Sequence, residues 1–450
     1  MLSALFFLCA FLGLVAMALW RYPICGLFLY IGVFYVHPPS RWWGDMLPDL
    51  RWSLSSAAVA VLAVLLHRKA AATGRRAWIS TIPALVILLF LLWMGLQAPM
   101  ALDSEAHNGA IVHVLKYLVM LFLVYRLADS LEKASDVLLA HVAGCAYLGW
   151  LCFVSGRTGD GRLDGVGGPG IDDANTLGMV LATGVVAAAA LALTQQRWRR
   201  WVAALSIPLM LNGLILTGSR GAFLGLLGGS LTIALLCPPG RRLQFAGAAV
   251  LGVVLALNLV DAAFVERMFT ITAAVKDKDE IDSSAESRVA LFEAQKRMFA
   301  AYPLGCGHRG TAVLSVEFLD RQYLTTGPTG EVDAARSSHN TFMTVLVEQG
   351  VVGVLLFVWM TLWGLTAILR VKRLQSAGAP PQAVAPAIAA CGALTVVWVS
   401  GQFTDYLLAE VQIWMYALLA ASLDLLRRRN AQAVPAEAAA AVPASSYSHR

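Results

Sequence analysis

Three basic side chains stand where an apolar chain has little use for them. Arg220 lies in Thr217-Gly218-Ser219-Arg220-Gly221, a tight polar break between two apolar runs. A guanidinium at a helix start offers a planar fork of donors suited to phosphate. The plainer reading is an interfacial arginine that reaches lipid headgroups. Arg288, in Glu286-Ser287-Arg288, is either a solvated arginine in an acidic stretch or a second phosphate ligand. Two arginines suit a diphosphate better than one, because each makes paired, charge-assisted bonds. His339, in Ser337-Ser338-His339-Asn340-Thr341, opens a long apolar run. A serine cap would put it in the first helical turn, where the dipole disfavours its charge. Neutral imidazole can accept a proton or donate a hydrogen bond; the alternative is an ordinary polar cap. Asn340 either orients a substrate hydroxyl or extends that cap.

Other polar breaks are less specific. Gly165 to Gly170 precede Asp172, Asp173 and Asn175 at a helix start, where capping explains acidic residues as well as catalysis does. Gly305-Cys306-Gly307-His308-Arg309-Gly310 is a glycine-rich turn. It lacks the Lys-Ser/Thr ending of a nucleotide loop, so ATP binding is rejected. Arg157, Arg162 and Arg336 are solvated loop arginines or add positive field, and Gln402 and Asp405 are candidate acceptor contacts. Ser219, Asp173, Asn175, Arg309, Arg336 and Asn340 form the expected substrate-binding set around Arg220, Arg288 and His339. No spacing such as His-Glu-x-x-His suggests a metal, and no cofactor is expected.

These residues must be positioned by membrane helices. Of the 450 residues 58% are hydrophobic and 14% charged, where a soluble domain carries roughly a quarter charged. Mean hydropathy is +0.67. Apolar blocks fall near residues 2–20, 22–36, 52–67, 78–98, 109–128, 134–154, 171–194, 201–217, 221–237, 243–262, 340–369, 384–400 and 408–426. Their lengths match the hydrocarbon thickness of a bilayer at helical rise. Runs such as Ala84 to Met94 and Val180 to Leu193 lack the alternation of a membrane barrel. The fold class is therefore all-α, a polytopic membrane protein with about 12–13 spanning helices. The first block reads as a membrane helix more than as a cleaved signal peptide. The seven cysteines are scattered without a Cys-x-x-Cys pair, against structural zinc or a disulfide scaffold.

The net charge of +6 does not point to nucleic acid, because the basic residues cluster between apolar blocks. Arg68, Lys69, Arg75 and Arg76 form one such loop, and Arg197, Arg199 and Arg200 another. Arg241 and Arg242, then Arg370, Lys372 and Arg373, then Arg427 to Arg429 complete the series. All are expected to face the cytoplasm. With thirteen crossings the N-terminus is outside; with twelve it is inside. The chain then divides into a transmembrane bundle over 1–262, a loop subdomain over 263–339, further membrane helices over 340–429 and a disordered cytoplasmic tail over 430–450. The loop is far longer than an ordinary connection and holds eleven of the 28 acidic residues. In it Ser283 and Glu286 have capping-box spacing, Leu291, Ala294 and Met298 share one helical face, and Pro303 with Gly305 and Gly307 ends the run.

Taken in order, Gly218-Ser219-Arg220-Gly221, Glu286-Ser287-Arg288 with Pro303-x-Gly305-x-Gly307, and Ser338-His339-Asn340 with Glu348-x-Gly350 resemble the bacterial O-antigen ligase and polymerase family. Arg21-Tyr22-Pro23, the His37-Pro38 turn and Gly168-Pro169-Gly170 followed by Asp173 and Asn175 look like its exosortase-associated O-glycosylation ligase branch. The family's Asp-Asn pair is here Asp172-Asp173-Ala174-Asn175, a departure that bears on the acceptor. The resemblance covers most of residues 1–426. It implies a metal-independent, inverting glycosyltransferase of the bacterial inner membrane. That enzyme takes a glycan from an undecaprenyl-diphosphate carrier at the periplasmic face and passes it to lipid A core, a glycan or a protein. It also implies that Arg220 and Arg288 bind the diphosphate and that His339 is essential. Membrane lipids are the other expected partner, nucleic acid is not, and a monomer is expected. A polymerase with the same donor and a flippase for the lipid-linked glycan are the competing functions.

Overall fold

The computed structural model describes residues 2–67, 75–156, 163–259, 283–326, 332–333 and 336–440. Arg68, Lys69, Arg157, Arg162 and residues 441–450 lie outside the described residues. Among the described residues the architecture is all-α apart from a short hairpin, Thr325–Thr326 paired with Val332–Asp333, inside the long loop. Among the described residues ten α-helices precede that loop: α1 (Leu2–Trp20), α2 (Ile24–Val36), α3 (Trp52–Leu66), α4 (Ile82–Gln97), α5 (Ser104–Leu127), α6 (Leu131–Ser155), α7 (Ala174–Thr194), α8 (Arg197–Thr217), α9 (Arg220–Leu236) and α10 (Arg242–Leu259). The loop carries α11 (Ser283–Ala301) and α12 (Gly310–Phe318). After it come α13 (Thr341–Thr344), a π-helical turn (Val345–Gln349), α14 (Gly350–Ser376), α15 (Pro381–Ser400) and α16 (Glu410–Ala440). Among the described residues, eight helical segments are long and apolar enough to cross a membrane, and α2, α3 and α9 are shorter apolar helices.

α7 and α15 are buried along most of their length and form the centre of the bundle. Their small residues permit this, because backbones can approach closely where side chains are short. A Cβ at Gly392 of α15 would lie 2.5 Å from Val186 Cγ1 of α7. The described basic loop residues gather at one end. Arg199 pairs with Asp136 and Glu132 of α6, and Arg75 and Arg428 both pair with Asp424 of α16. α16 continues to Ala440, past the point where a disordered tail was expected to begin. The stretch it adds is rich in alanine, the strongest helix former.

The apolar run 340–369 was expected as one helix, yet it is broken. Gly350 has φ +64°, a conformation open chiefly to glycine. At the break Val347 and Glu348 turn their carbonyls to the loop, accepting Cys306 N at 3.1 Å and Gly307 N at 2.9 Å. Val351 N donates to Pro303 O, Gln97 Nε2 to Leu304 O and Trp93 Nε1 to Gln349 O. An interrupted helix survives at this depth only where protein groups take over its backbone bonds. A Cβ at Gly350 would overlap the Leu304 carbonyl carbon. Gly350→Ala is therefore expected to destabilise the chain by about 1–3 kcal/mol, read as a lower midpoint of thermal unfolding in detergent.

Over the break sits a second small core. Leu291, Ala294 and Met298, the face predicted for α11, pack with Cys306, Leu314, Leu319, Leu324 and Val347. That face therefore covers α12 and the broken helix. The Ser283 side chain of the expected capping box lies outside the described residues, and Glu286 accepts a 2.7 Å hydrogen bond from Tyr323 OH.

Candidate functional site

The site lies at the end of the bundle opposite the basic loops, where α7, α9 and α13 begin and α15 ends. Arg220 is the first residue of α9, behind the cap made by Ser219, whose Oγ accepts from Ala222 N at 3.4 Å. The same hydroxyl donates to Asn175 Oδ1 at 3.1 Å, which ties the start of α9 to the start of α7. Asp173 caps α7, its Oδ1 accepting from Asn175 N and Thr176 N. Both Asp173 and Asn175 line an open cleft of about 490 Å³ with Asp164, Gly165, Asp172 and Ala174. The turn after α15 completes this end. Ser400 Oγ donates to Gly221 O, and Tyr406 OH donates to Asn175 O.

His339 does not sit in the first turn of a helix, as the serine cap suggested. The helix begins at Thr341, and Asn340 is the cap, its Oδ1 accepting from Met343 N at 3.0 Å. Asn340 Nδ2 donates to Gln402 O at 3.1 Å, so the amide holds the turn 401–406 on one side and the helix on the other. Ser338 is drawn away from a capping role by α11, where Gln295 Nε2 donates to its Oγ at 2.9 Å. His339 thus lies one residue outside the helix, half-buried. Burial, then the charges of Arg288 and Arg336, hold its pKa below the usual histidine value. The neutrality expected from a helix dipole comes instead from desolvation and two guanidinium groups.

Arg336 is the hinge of this arrangement. Its Nη2 donates to Ser287 Oγ at 2.7 Å, its Nη1 to Tyr323 O, and its backbone N to Ser315 Oγ of α12 at 3.2 Å. It therefore fixes the segment before His339 against the α11 residue next to Arg288, which is exposed. Arg309 is exposed at the start of α12 with φ +61°. The structure brings Arg288, Arg336 and His339 into one electrostatic group and places Arg220, Ser219, Asp173 and Asn175 at the same end of the bundle.

The sequence singles out His308, Glu348 and Asp405 separately, and nothing in their spacing shows that they meet. His308 Nδ1 lies 3.3 Å from Glu348 Oε2, and Glu348 Oε1 accepts from Thr311 N at 3.4 Å. Asp405 lies close enough to feel both: burial and the Glu348 charge push its carboxyl up to about 7. The available signal was an acidic residue inside an apolar block, an unusual and costly placement.

Residues 205–358 match the family model described as O-antigen ligase. The matched stretch runs from α8 into α14 and contains Arg220, Arg288 and His339. No curated protein matches the chain.

Proposed function

We propose that this chain is a glycan ligase. It transfers a glycan from an undecaprenyl-diphosphate carrier to a hydroxyl of lipid A core, another glycan or a protein. The observation that carries this reading is the placement of Arg288 and Arg336 against a half-buried His339, at the end of the bundle where Arg220 opens α9. The match of residues 205–358 supports the same reaction class. In this reading the basic loops face the cytoplasm and the site faces the periplasm, in the bacterial inner membrane.

The acceptor oxygen attacks the anomeric carbon as the bond from that carbon to the diphosphate oxygen breaks. A single displacement inverts the anomeric centre. The acceptor proton passes to His339, whose neutral form is favoured by its surroundings. The departing lipid diphosphate gains negative charge, and Arg220 and Arg288 stabilise it with fixed donors. Arg336, already bonded to Ser287 and Tyr323, holds the imidazole and Arg288 in register.

The test is the full chain reconstituted in lipid with a lipid-linked glycan and an acceptor. One glycan block transferred, with release of lipid diphosphate, is the expected product. A ladder of products would identify a polymerase, and translocation without a new glycosidic bond would identify a transporter and overturn the proposal. A chelator is expected to leave the rate unchanged; a strong loss would mean that a cation takes part.

A further inference from the structure

We propose that Glu348 and His308 form a positioning clamp that docks the loop segment 303–318 onto the broken membrane helix and so sets Arg288 against His339. The clamp itself stands on geometry. Its effect on turnover rests on the ligase reading above.

Glu348 is 5% exposed and sits in the π-helical turn. One carboxylate oxygen caps α12 from outside by accepting Thr311 N. The other faces His308 Nδ1 and has no hydrogen-bond partner, while lying fully buried. A buried carboxylate held this way needs a cation beside it, because an unpaired charge there is strongly disfavoured. From α12 the chain of bonds leads to the site: Ser315 holds Arg336 N, and Arg336 holds Ser287, next to Arg288. If the loop lifts from Glu348, α12 loses its cap and Arg336 loses its anchor.

The charged and titratable groups facing His308 come from four elements. They are Glu348 in the π-helical turn, Asp405 in the turn after α15, Arg309 beside His308 itself, and His107 and His113 of α5, with Lys116 beyond His113. Burial opposes the imidazolium of His308, but the pull of the Glu348 carboxylate beside it outweighs burial, and the net pKa is raised. Asp405 is raised as well, to about 7. The two shifts have the same sign for docking. A raised histidine stabilises the docked loop below its undocked pKa, and that stabilisation fades as pH rises through the docked value. A raised carboxyl acts in the same direction: its cost to the docked state grows as pH rises from the ordinary carboxylate range and is complete once pH passes about 7. Once His308 has lost its proton, the acidic pocket lacks its cation and the clamp loosens.

Hydrogen–deuterium exchange on the full chain in lipid nanodiscs reads the clamp without any substrate. After correction for intrinsic rates, segment 303–318 of the native chain is expected to exchange several-fold faster at pH 8.5 than at pH 6, with α7 unchanged as internal reference. Removing one partner of a buried pair should speed exchange at pH 6 by at least about tenfold, in both Glu348→Gln and His308→Gln. His308→Lys, which keeps a cation at alkaline pH, is expected to restore protection at pH 8.5. In the transfer assay Glu348→Gln lowers kcat more than it raises KM, and His308→Lys extends activity to higher pH. Protection of 303–318 that is unchanged by pH and by both glutamine variants would overturn the clamp. Native exchange as described, in a chain that transfers no glycan, would leave the clamp standing and sink the ligase reading instead.

Discussion

His339→Ala is expected to lower turnover of the lipid-linked donor by about 100- to 10,000-fold, the range for removal of a positioned proton acceptor. Donor binding is expected to change little, since the proposed mechanism assigns the diphosphate to arginines and not to the imidazole. The loss therefore falls on kcat, the pattern of an interaction made mainly in the transition state. The structural cost of the substitution is small. His339 lies outside the helix that follows it, and the bonds that fix its neighbours run through Ser338 and Asn340. A thermal midpoint near that of the native chain would confirm that folding is intact. Near-native turnover in a folded His339→Ala chain would remove the imidazole from the mechanism.

The helical position of His339 is not legible in the sequence because two caps compete. Ser338 and Asn340 are both good capping residues, and local sequence cannot rank them. The choice is made from a distance, by Gln295 on Ser338 and by Gln402 on Asn340. The helices themselves were legible because their signal is local: a run such as Val180 to Leu193 has no other stable home than an apolar interior. α11 was legible for the same reason, through the spacing of Leu291, Ala294 and Met298. The Glu348–His308 pair was not. Those residues lie 40 positions apart in the chain and meet only because Gly350 breaks the membrane helix and turns two carbonyls toward Cys306 and Gly307. From sequence alone Arg336 is a solvated loop arginine or a source of positive field. Its bonds to Ser287, Tyr323 and Ser315 show an equally strong role as a tie between α11, α12 and the segment that carries His339.

Arg288→Gln separates the two jobs assigned to that guanidinium, and both effects are expected together. Loss of a fixed donor to the departing diphosphate lowers kcat by about 100- to 1,000-fold, as for removal of one preorganised oxyanion donor. The second effect is on His339. Among its causes after burial, the Arg288 charge lowers the imidazole pKa, so the neutral side chain in its place lets that pKa rise. A base must be deprotonated to act, and the acid limb of the rate profile reports its pKa. In Arg288→Gln that limb therefore moves to higher pH. Arg288→Lys keeps the charge but not the planar fork, so it should restore the native position of the limb while recovering only part of kcat. Arg220→Gln provides the contrast. Among the described residues the charges that lower the His339 pKa are those of Arg288 and Arg336, so Arg220→Gln is expected to cost turnover on the same scale with the acid limb unmoved. If the limb stays in place in Arg288→Gln as well, that arginine and His339 do not share one site, and the arrangement proposed for the diphosphate must be redrawn around Arg220 alone.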